Sequence, residues 1–298
     1  MKEEEVENYI KAGKILQKII KYAKEFIRPE QTLLEIATKI EEKIAKEKAS
    51  PAFPVNLSLN NEAAHRTPAK DDAKKFTKKD IMKVDIGVHI DGYIADAAFS
   101  ISYNKEHNEL IKASKEALRN TEKILKEGIT LGEIGKTIEE TIRAFGFKPI
   151  ANLSGHGLAQ YEAHAEPTIP NTSNKSTLEI KDIAFAIEPF ASTGNGYVRD
   201  SHEVQIYSID EIKPVRSKHA RNLLNFIMER FKTLPFAERW LYCEELKLNE
   251  FQTKLALREL IMHGCLKEYP ILKDIEGSLV SQAEASFLAF NGEIIRIV

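Results

Sequence analysis

The sequence predicts an α+β fold in which a helix-helix-hairpin unit occurs twice and a helical segment is inserted before the last strands. Three observations carry this. Apolar residues at helical spacing from Val6 to Ile27 lead to a second helix and then to two alternating strands joined at Asp91-Gly92. The same order starts again at Glu106, and the second helices of the two runs match. Thr32, Leu33, Glu35, Ile36, Ile40, Glu41, Glu42 and Ile44 correspond to Thr130, Leu131, Glu133, Ile134, Ile138, Glu139, Glu140 and Ile142 at a constant offset of 98 positions. Residues from about Ile206 to Glu268 then change character, with three helical patterns in succession.

The first helix stops before Pro29, and Thr32 with Glu35 forms a capping box that opens the second, to about Lys48. Pro51-Ala52-Phe53-Pro54 breaks the chain into a loop, and a short extended piece from Asn56 to Leu59 precedes the hairpin. Glu106 to Glu127 reads as a helix ended by Gly128, and Thr130 with Glu133 opens another that ends near Gly146. Pro149 to Ser154 and Asp182 to Phe190 read as extended. Lys218 to Phe231, Glu238 to Leu246 and Asn249 to His263 read as the three inserted helices, a winged-helix-like arrangement whose Lys and Arg are interleaved with Glu. Leu279 to Phe290, the turn Asn291-Gly292 and Glu293 to Val298 give a closing hairpin. Two Glu/Ile-rich amphipathic helices can look alike by composition alone; the alternative is an internal duplication, two halves about a pseudo-twofold axis with a site between them.

With 298 residues, 43% of them apolar, the chain can bury a large core, and a net charge of −2 provides no global field toward nucleic acid or membrane. Cys243 and Cys265 suggest a reducing cytosol rather than a disulfide framework. The start is acidic, and no apolar run approaches membrane-spanning length. A soluble cytoplasmic protein without membrane contacts is expected.

The most informative residues are Asp85 and Asp96. In Lys83 to Ile90 the pleat puts Val84, Ile86, Val88 and Ile90 on one face and Asp85, Gly87 and His89 on the other. A two-residue loop at Asp91-Gly92 pairs Ile90 with Tyr93, sets Asp96 opposite Gly87, and leaves it diagonal to Asp85. A solvated hairpin face is the bland reading, but Ile94, Ala95, Ala97, Ala98 and Phe99 are apolar on both faces. Buried and unpaired, the two carboxylates would repel, and cations between them remove that problem. His156 within Ser154-Gly155-His156-Gly157, Glu188 at the end of Ile183 to Ile187, and Glu284 in Gln282-Ala283-Glu284 are further candidates. Four carboxylates and one imidazole suit divalent Mn, Fe, Co or Zn, and a pair of such ions suits hydrolysis.

The order Asp85, Asp96, His156, Glu188, Glu284 resembles that of the methionine aminopeptidases of the pita-bread (creatinase/aminopeptidase) fold. Ala63-Ala64-His65, Val84-Asp85-Ile86-Gly87, Gly155-His156-Gly157, Ile187-Glu188-Pro189-Phe190, Ser192-Thr193-Gly194 and Gln282-Ala283-Glu284 carry the match, which covers nearly the whole chain. The helical insertion resembles the type 2 class, and the lack of a charged N-terminal extension resembles its archaeal members. The resemblance implies a catalytic domain of residues 1–205 plus 269–298 and an inserted subdomain of residues 206–268. It implies two divalent ions, with Asp85 chelating one, Asp96 and Glu284 bridging both, and His156 with Glu188 completing the other. It also makes Glu188 the proton acceptor, places His164 at the scissile amide or its oxyanion with His65 nearby, and lines the methionine pocket with Phe53, Pro54, Tyr269 and Leu272. The implied substrates are nascent chains whose initiator methionine precedes a small residue, the implied partner is the ribosome, and a monomer is expected. Ala283 stands where relatives carry Phe, Ala163 where a larger aliphatic is usual, and Arg199 where some carry His. Rival readings are a proline-directed peptidase of the same fold, an inactive relative that binds ribosomes or RNA, and a DNA-binding role for the insertion.

Overall fold

The computed structural model describes residues 1–298. In the first half, α1 (Glu3–Phe26) and α2 (Leu33–Lys46) precede β1 (Asn56–Leu59), β2 (Glu62–Ala64) and the hairpin β3 (Ile81–Ile90) and β4 (Tyr93–Ser102). In the second, α3 (Asn108–Ile124) and α4 (Leu131–Ala144) precede the hairpin β5 (Ser154–Ala159) and β6 (Glu162–Pro170), then β7 (Ala184–Ile187) and β8 (Phe190–Ser192). β9 (Arg199–Ile209) leads to α5 (Lys218–Arg230) and α6 (Glu250–Met262). The chain returns through β10 (Leu266–Lys273), β11 (Val280–Gln282), β12 (Ala285–Phe290) and β13 (Glu293–Arg296). No helix is long and apolar enough to cross a membrane.

The two halves share hydrogen bonds that similar composition cannot produce. Leu33 N donates to Lys74 O at 2.8 Å and Phe76 N to Gln31 O at 3.0 Å; Leu131 N donates to Leu178 O at 2.9 Å and Ile180 N to Ile129 O at 3.0 Å. In each half the capping threonine therefore bridges to the segment that enters the central strands, Thr32 to Lys75 and Thr130 to Glu179. Of the two threonine capping boxes only the second is complete. Glu133 returns its carboxylate to the Thr130 N–H at 2.9 Å, whereas Glu35 pairs with Lys39 at 2.7 Å and leaves Thr32 to cap alone.

Helices cover one face of each hairpin or sheet. Leu16, Ile19, Ile36 and Ile40 pack in one core with Val84, Ile86 and Val88, and Ala113, Ile134 and Ile138 pack with Phe185, Ile187 and Phe287. The hairpin register is the one the Asp91-Gly92 loop dictates, with Ile90 opposite Tyr93 and Gly87 opposite Asp96. A one-residue slip would expose Val84, Ile86 and Val88 together, at roughly 1.5–3 kcal/mol each. That rivals the whole stability of a typical domain, so Asp85 is held on the face away from the helices.

The halves are stitched along β4. Ser100 Oγ donates to Gln282 O and accepts from Gln282 N, both at 2.8 Å; Glu284 N donates to Ala98 O at 2.9 Å; and Asp96 N donates to Ser286 Oγ at 2.8 Å. Each two-residue step along β4 meets a two-residue step from β11 into β12.

Several expected elements differ. Of Pro149 to Ser154, only Lys148–Pro149 and the start of β5 are strand, and Asp182 to Phe190 is broken at Glu188-Pro189 into β7 and β8. Glu238 to Leu246 is not an α-helix but two 3₁₀ turns, Glu238–Leu241 and Glu244–Leu246. Neither turn has a capping side chain, while Arg239 and Trp240 Nε1 are both engaged by Glu41 of α2, which favours a tight turn over a regular helix. Residues between Tyr207 and Leu266 share a separate core, including Leu223, Leu224, Ile227, Leu257 and Leu260. β9 and β10 pair from Arg199 opposite Lys273 to Ile209 opposite Leu266, so a paired stem runs through both expected boundaries. The outward face of α6 exposes Phe251, Leu255 and Met262, a surface unlike one built for DNA phosphates.

Candidate metal centre

Register alone brings the five candidate residues together. Asp85 and Asp96 sit diagonally across β3 and β4. The stitch along β4 places Glu284 beside Asp96, since Glu284 meets Ala98 and Ser286 meets Asp96. Ile187 pairs with Ala285 and Phe190 with Gln282, which puts Glu188 opposite Glu284. His156 pairs with Ala186, two residues from Glu188. The flanking glycines serve the fold rather than a ligand: a Cβ on Gly155 would stand 2.2 Å from Ala186 O, and one on Gly157 would stand 2.2 Å from Glu166 O.

His156 Nδ1 lies 3.1 Å from Gly157 O, which can only accept, so the proton is on Nδ1 and the Nε2 lone pair is free. Nε2 faces Asp96 Oδ2 at 3.8 Å and Glu188 Oε1 at 3.9 Å. Those separations are too long for hydrogen bonds but suit ligands around a shared cation, whose bonds to N and O run about 2.0–2.2 Å. Ligand atoms of Asp96, His156 and Glu284 all lie within 4.8 Å of one another. Gln282 Nε2 reaches Glu188 Oε2 at 3.3 Å and Glu284 Oε2 at 3.4 Å and so orients both acids.

Ionised together, these acids would need a counter-charge. Burial pushes the Asp85 carboxyl up to about 7. Asp96, Glu188 and Glu284 are raised well above the carboxylate range, first by burial and then by neighbouring carboxylates, with Asp85 foremost for Asp96 and Glu188 and Asp96 foremost for Glu284. Burial lowers His156 to about 4, keeping it neutral. Asp85 Oδ1 and Asp96 Oδ1 are buried without any hydrogen-bond partner, an arrangement costly for polar atoms unless a cation binds them. The residues fit divalent metal.

The ligands floor a cleft walled by Phe53, Asn56, His65, His164, Ile206, Pro235 and Tyr269, among others. His164 packs edge-on against His156 at 4.7 Å and faces Tyr269 at 6.1 Å; Tyr269 in turn lies 5.6 Å from His65. Burial, then His156, then His65 and Lys267 hold the His164 ring well below its ordinary value, so it is neutral. His65 Nδ1 donates to Pro270 O at 3.1 Å, leaving Nε2 free to accept.

Two expected wall residues lie elsewhere. Tyr269 lines the cleft, whereas Leu272 and Pro54 do not. Leu272 packs instead against the cluster of Ala63, Ile150, Phe190, Val198 and Val280. Pro54 is buried next to Phe53, its carbonyl accepting from Asn56 Nδ2 at 3.0 Å. Sequence reasoning missed Asn56, Leu153, Phe190, Ile206 and Pro235 on the wall, and Gln282 beneath it. Asn56 was findable: alternation along Asn56 to Leu59 puts it directly opposite Asp85 once β1 is laid on β3.

Residues 7–219 match the profile of Metallopeptidase family M24. The chain belongs to metallopeptidase family M24. It groups there with archaeal methionine aminopeptidases: it is 42% identical to that of Archaeoglobus fulgidus over 98% of both chains. Identity to the Pyrococcus horikoshii methionine aminopeptidase is 45% over 95% of this chain and 96% of the relative. In fold it resembles the Thermotoga maritima methionine aminopeptidase crystal structure at a TM-score of 0.71 and 22% identity, covering 100% of this chain and 97% of that one. A thermophilic Arx1 gives a TM-score of 0.85 at 15% identity, covering 100% of this chain and 91% of the other, a likeness of fold alone.

Proposed function

We propose that this chain is a metal-dependent aminopeptidase that removes the initiator methionine from nascent chains whose second residue is small. The observation that carries the reading is the cage itself: four converging carboxylates, of which Asp96 and Glu284 are buried, and one neutral imidazole, with two carboxylate oxygens left without protein partners. Asp85, Asp96, His156, Glu188 and Glu284 would hold two divalent ions. When bound, such ions supply Lewis acidity that activates water near neutral pH and polarises a carbonyl.

The chain's own groups do the rest. Glu188, at the cage edge and oriented by Gln282, would take the proton of the attacking water and pass it to the leaving amine. His164, neutral and facing the cleft, would donate its N–H to the developing oxyanion, and His65 would position the leaving amide. Phe53 and Tyr269 offer the apolar wall against which a thioether chain packs. Ile206 of β9 and Pro235 beyond α5 complete the wall of the cleft.

The test is incubation of metal-reconstituted protein with Met-Gly-Ser, Met-Pro-Ser and Ala-Pro-Ser, with product detection. The reading predicts free methionine from the first two and nothing from the third. Alanine release from Ala-Pro-Ser without methionine release would mark a proline-directed peptidase instead.

A further inference from the structure

Three chain apexes meet at one place in the fold. Asp91-Gly92 closes the hairpin that carries Asp85 and Asp96, Gln160-Tyr161 closes the one that carries His156 and His164, and Lys232-Thr233 follows α5 into the cleft-wall residue Pro235. Tyr161 is their common point. Its N–H donates to Gly92 O at 2.9 Å, and its carbonyl accepts from Thr233 Oγ1. Its ring takes the Lys232 ammonium at 3.6 Å and the edge of His89 at 5.6 Å. Gln160 Nε2 adds a bond to Asp91 O at 2.8 Å. The packing admits nothing larger at Gly92, where a Cβ would stand 2.4 Å from the Tyr161 ring.

One residue in each apex, Asp91, Tyr161 and Lys232 in turn, holds a left-handed φ, of 51°, 60° and 55°. For a bulky tyrosine this conformation persists only where surrounding contacts over-determine it. The hairpin ladder beneath cannot do that work for His164. Ala159 pairs with Glu162 and Gly157 with Ala165, so Leu158 alone faces both Ala163 and His164. His164 therefore sits in a bulge, where ladder hydrogen bonds are interrupted and a side chain is re-aimed.

We propose that Tyr161 is a positioning residue: by clasping the three apexes it fixes the bulge that aims His164 into the cleft and ties that aim to the Lys232 to Pro235 segment of the insertion. This rests on the aminopeptidase reading for its kinetic consequence, though not for its structural one. A misplacement of about 1 Å at a catalytic group can cost on the order of 100-fold in rate.

The experiment compares wild type with Tyr161→Ala, Tyr161→Phe, Lys232→Met and Thr233→Val in the zinc-loaded enzyme. Two readouts are taken: kcat and KM on Met-Gly-Ser, and the His164 ring resonances in protein labelled with ¹⁵N-histidine. Tyr161→Ala should lower kcat about 10-fold or more with KM within about threefold, at unchanged zinc content, and should move or broaden the His164 signals. Tyr161→Phe, which keeps the ring and both backbone bonds, should restore both. Should Tyr161→Ala not fold, Lys232→Met and Thr233→Val decide by the same pair of readouts, each with a smaller kcat loss. A folded clasp variant with wild-type kcat, or with lost kcat but unmoved His164 resonances, overturns the proposal. Wild-type protein that releases no methionine would instead defeat the aminopeptidase reading, and the resonances would still report on the clasp.

Discussion

Replacing Asp85 with Asn should stabilise the metal-free protein and destabilise the metal-loaded one. Asp85 is an acid whose carboxyl is raised from the ordinary 3.8 to about 7 by burial. The folded chain thus holds a proton that the unfolded chain has released, and stability falls as pH rises through that window. Below 3.8 the group contributes nothing; above about 7 the full penalty is present. At about 1.4 kcal/mol per unit, the interval corresponds to about 4 kcal/mol at most, shared in practice among four interacting acids. Asn keeps the shape and hydrogen-bonding capacity but cannot ionise. In chelator-treated protein at pH 8, Asp85→Asn should raise the melting temperature by several degrees, at roughly 2–4 °C per kcal/mol for a chain of this size. At pH 4 the two proteins should melt together. With saturating manganese the order reverses, since the wild-type carboxylate now gains its cation. Calorimetric melting at both pH values, with and without metal, is the assay. A metal-free Asp85→Asn protein that melts below wild type at pH 8 would refute the claim that the cage is electrostatically frustrated without cations.

Glu188→Gln and His164→Ala should each lower kcat by about 10²–10⁴-fold on Met-Gly-Ser, whereas His107→Ala, which breaks a 2.8 Å contact with Ser102 Oγ, should cost about 1 kcal/mol of stability and no turnover. Gln282→Leu removes the donor that orients Glu188 and Glu284 and should weaken metal binding by about 10–100-fold in a calorimetric titration. Lys83 is fully buried with its ammonium 2.7 Å from Asn60 O, and burial lowers it from 10.5 to about 7. The unfolded chain binds that proton more tightly, so wild type should gain stability as pH rises from 7 toward 10.5. Lys83→Met should lose that gain, as denaturant midpoints across the range would show.

What was legible depended on how far apart in sequence the interacting residues lie. The diagonal of Asp85 and Asp96 could be derived because a two-residue loop fixes its own register. The duplication was visible in the helix sequences, though its proof lay in four backbone hydrogen bonds that no composition encodes. The opposition of Glu188 and Glu284 was not derivable from spacing, since it depends on pairing β7 with β12 across nearly a hundred residues; resemblance supplied what geometry could not. β9 begins Arg199-Asp200-Ser201-His202-Glu203, with no apolar alternation to mark it, because this stem strand is solvated near its start. Glu238 to Leu246 showed helical spacing but no cap, and tertiary bonds to Glu41 prevailed. Leu272, a wall residue by resemblance, packs behind Phe190 rather than lining the cleft itself. The bulge at His164 carries no sequence mark at all, so the histidine was identifiable while the device that aims it was not.

Anomalous diffraction from crystals soaked in manganese, collected across the metal edge, tests the central claim most directly. Two peaks enclosed by Asp85, Asp96, His156, Glu188 and Glu284 are the predicted result. Density free of metal in that cage, or manganese bound only at acids elsewhere on the chain, would contradict it.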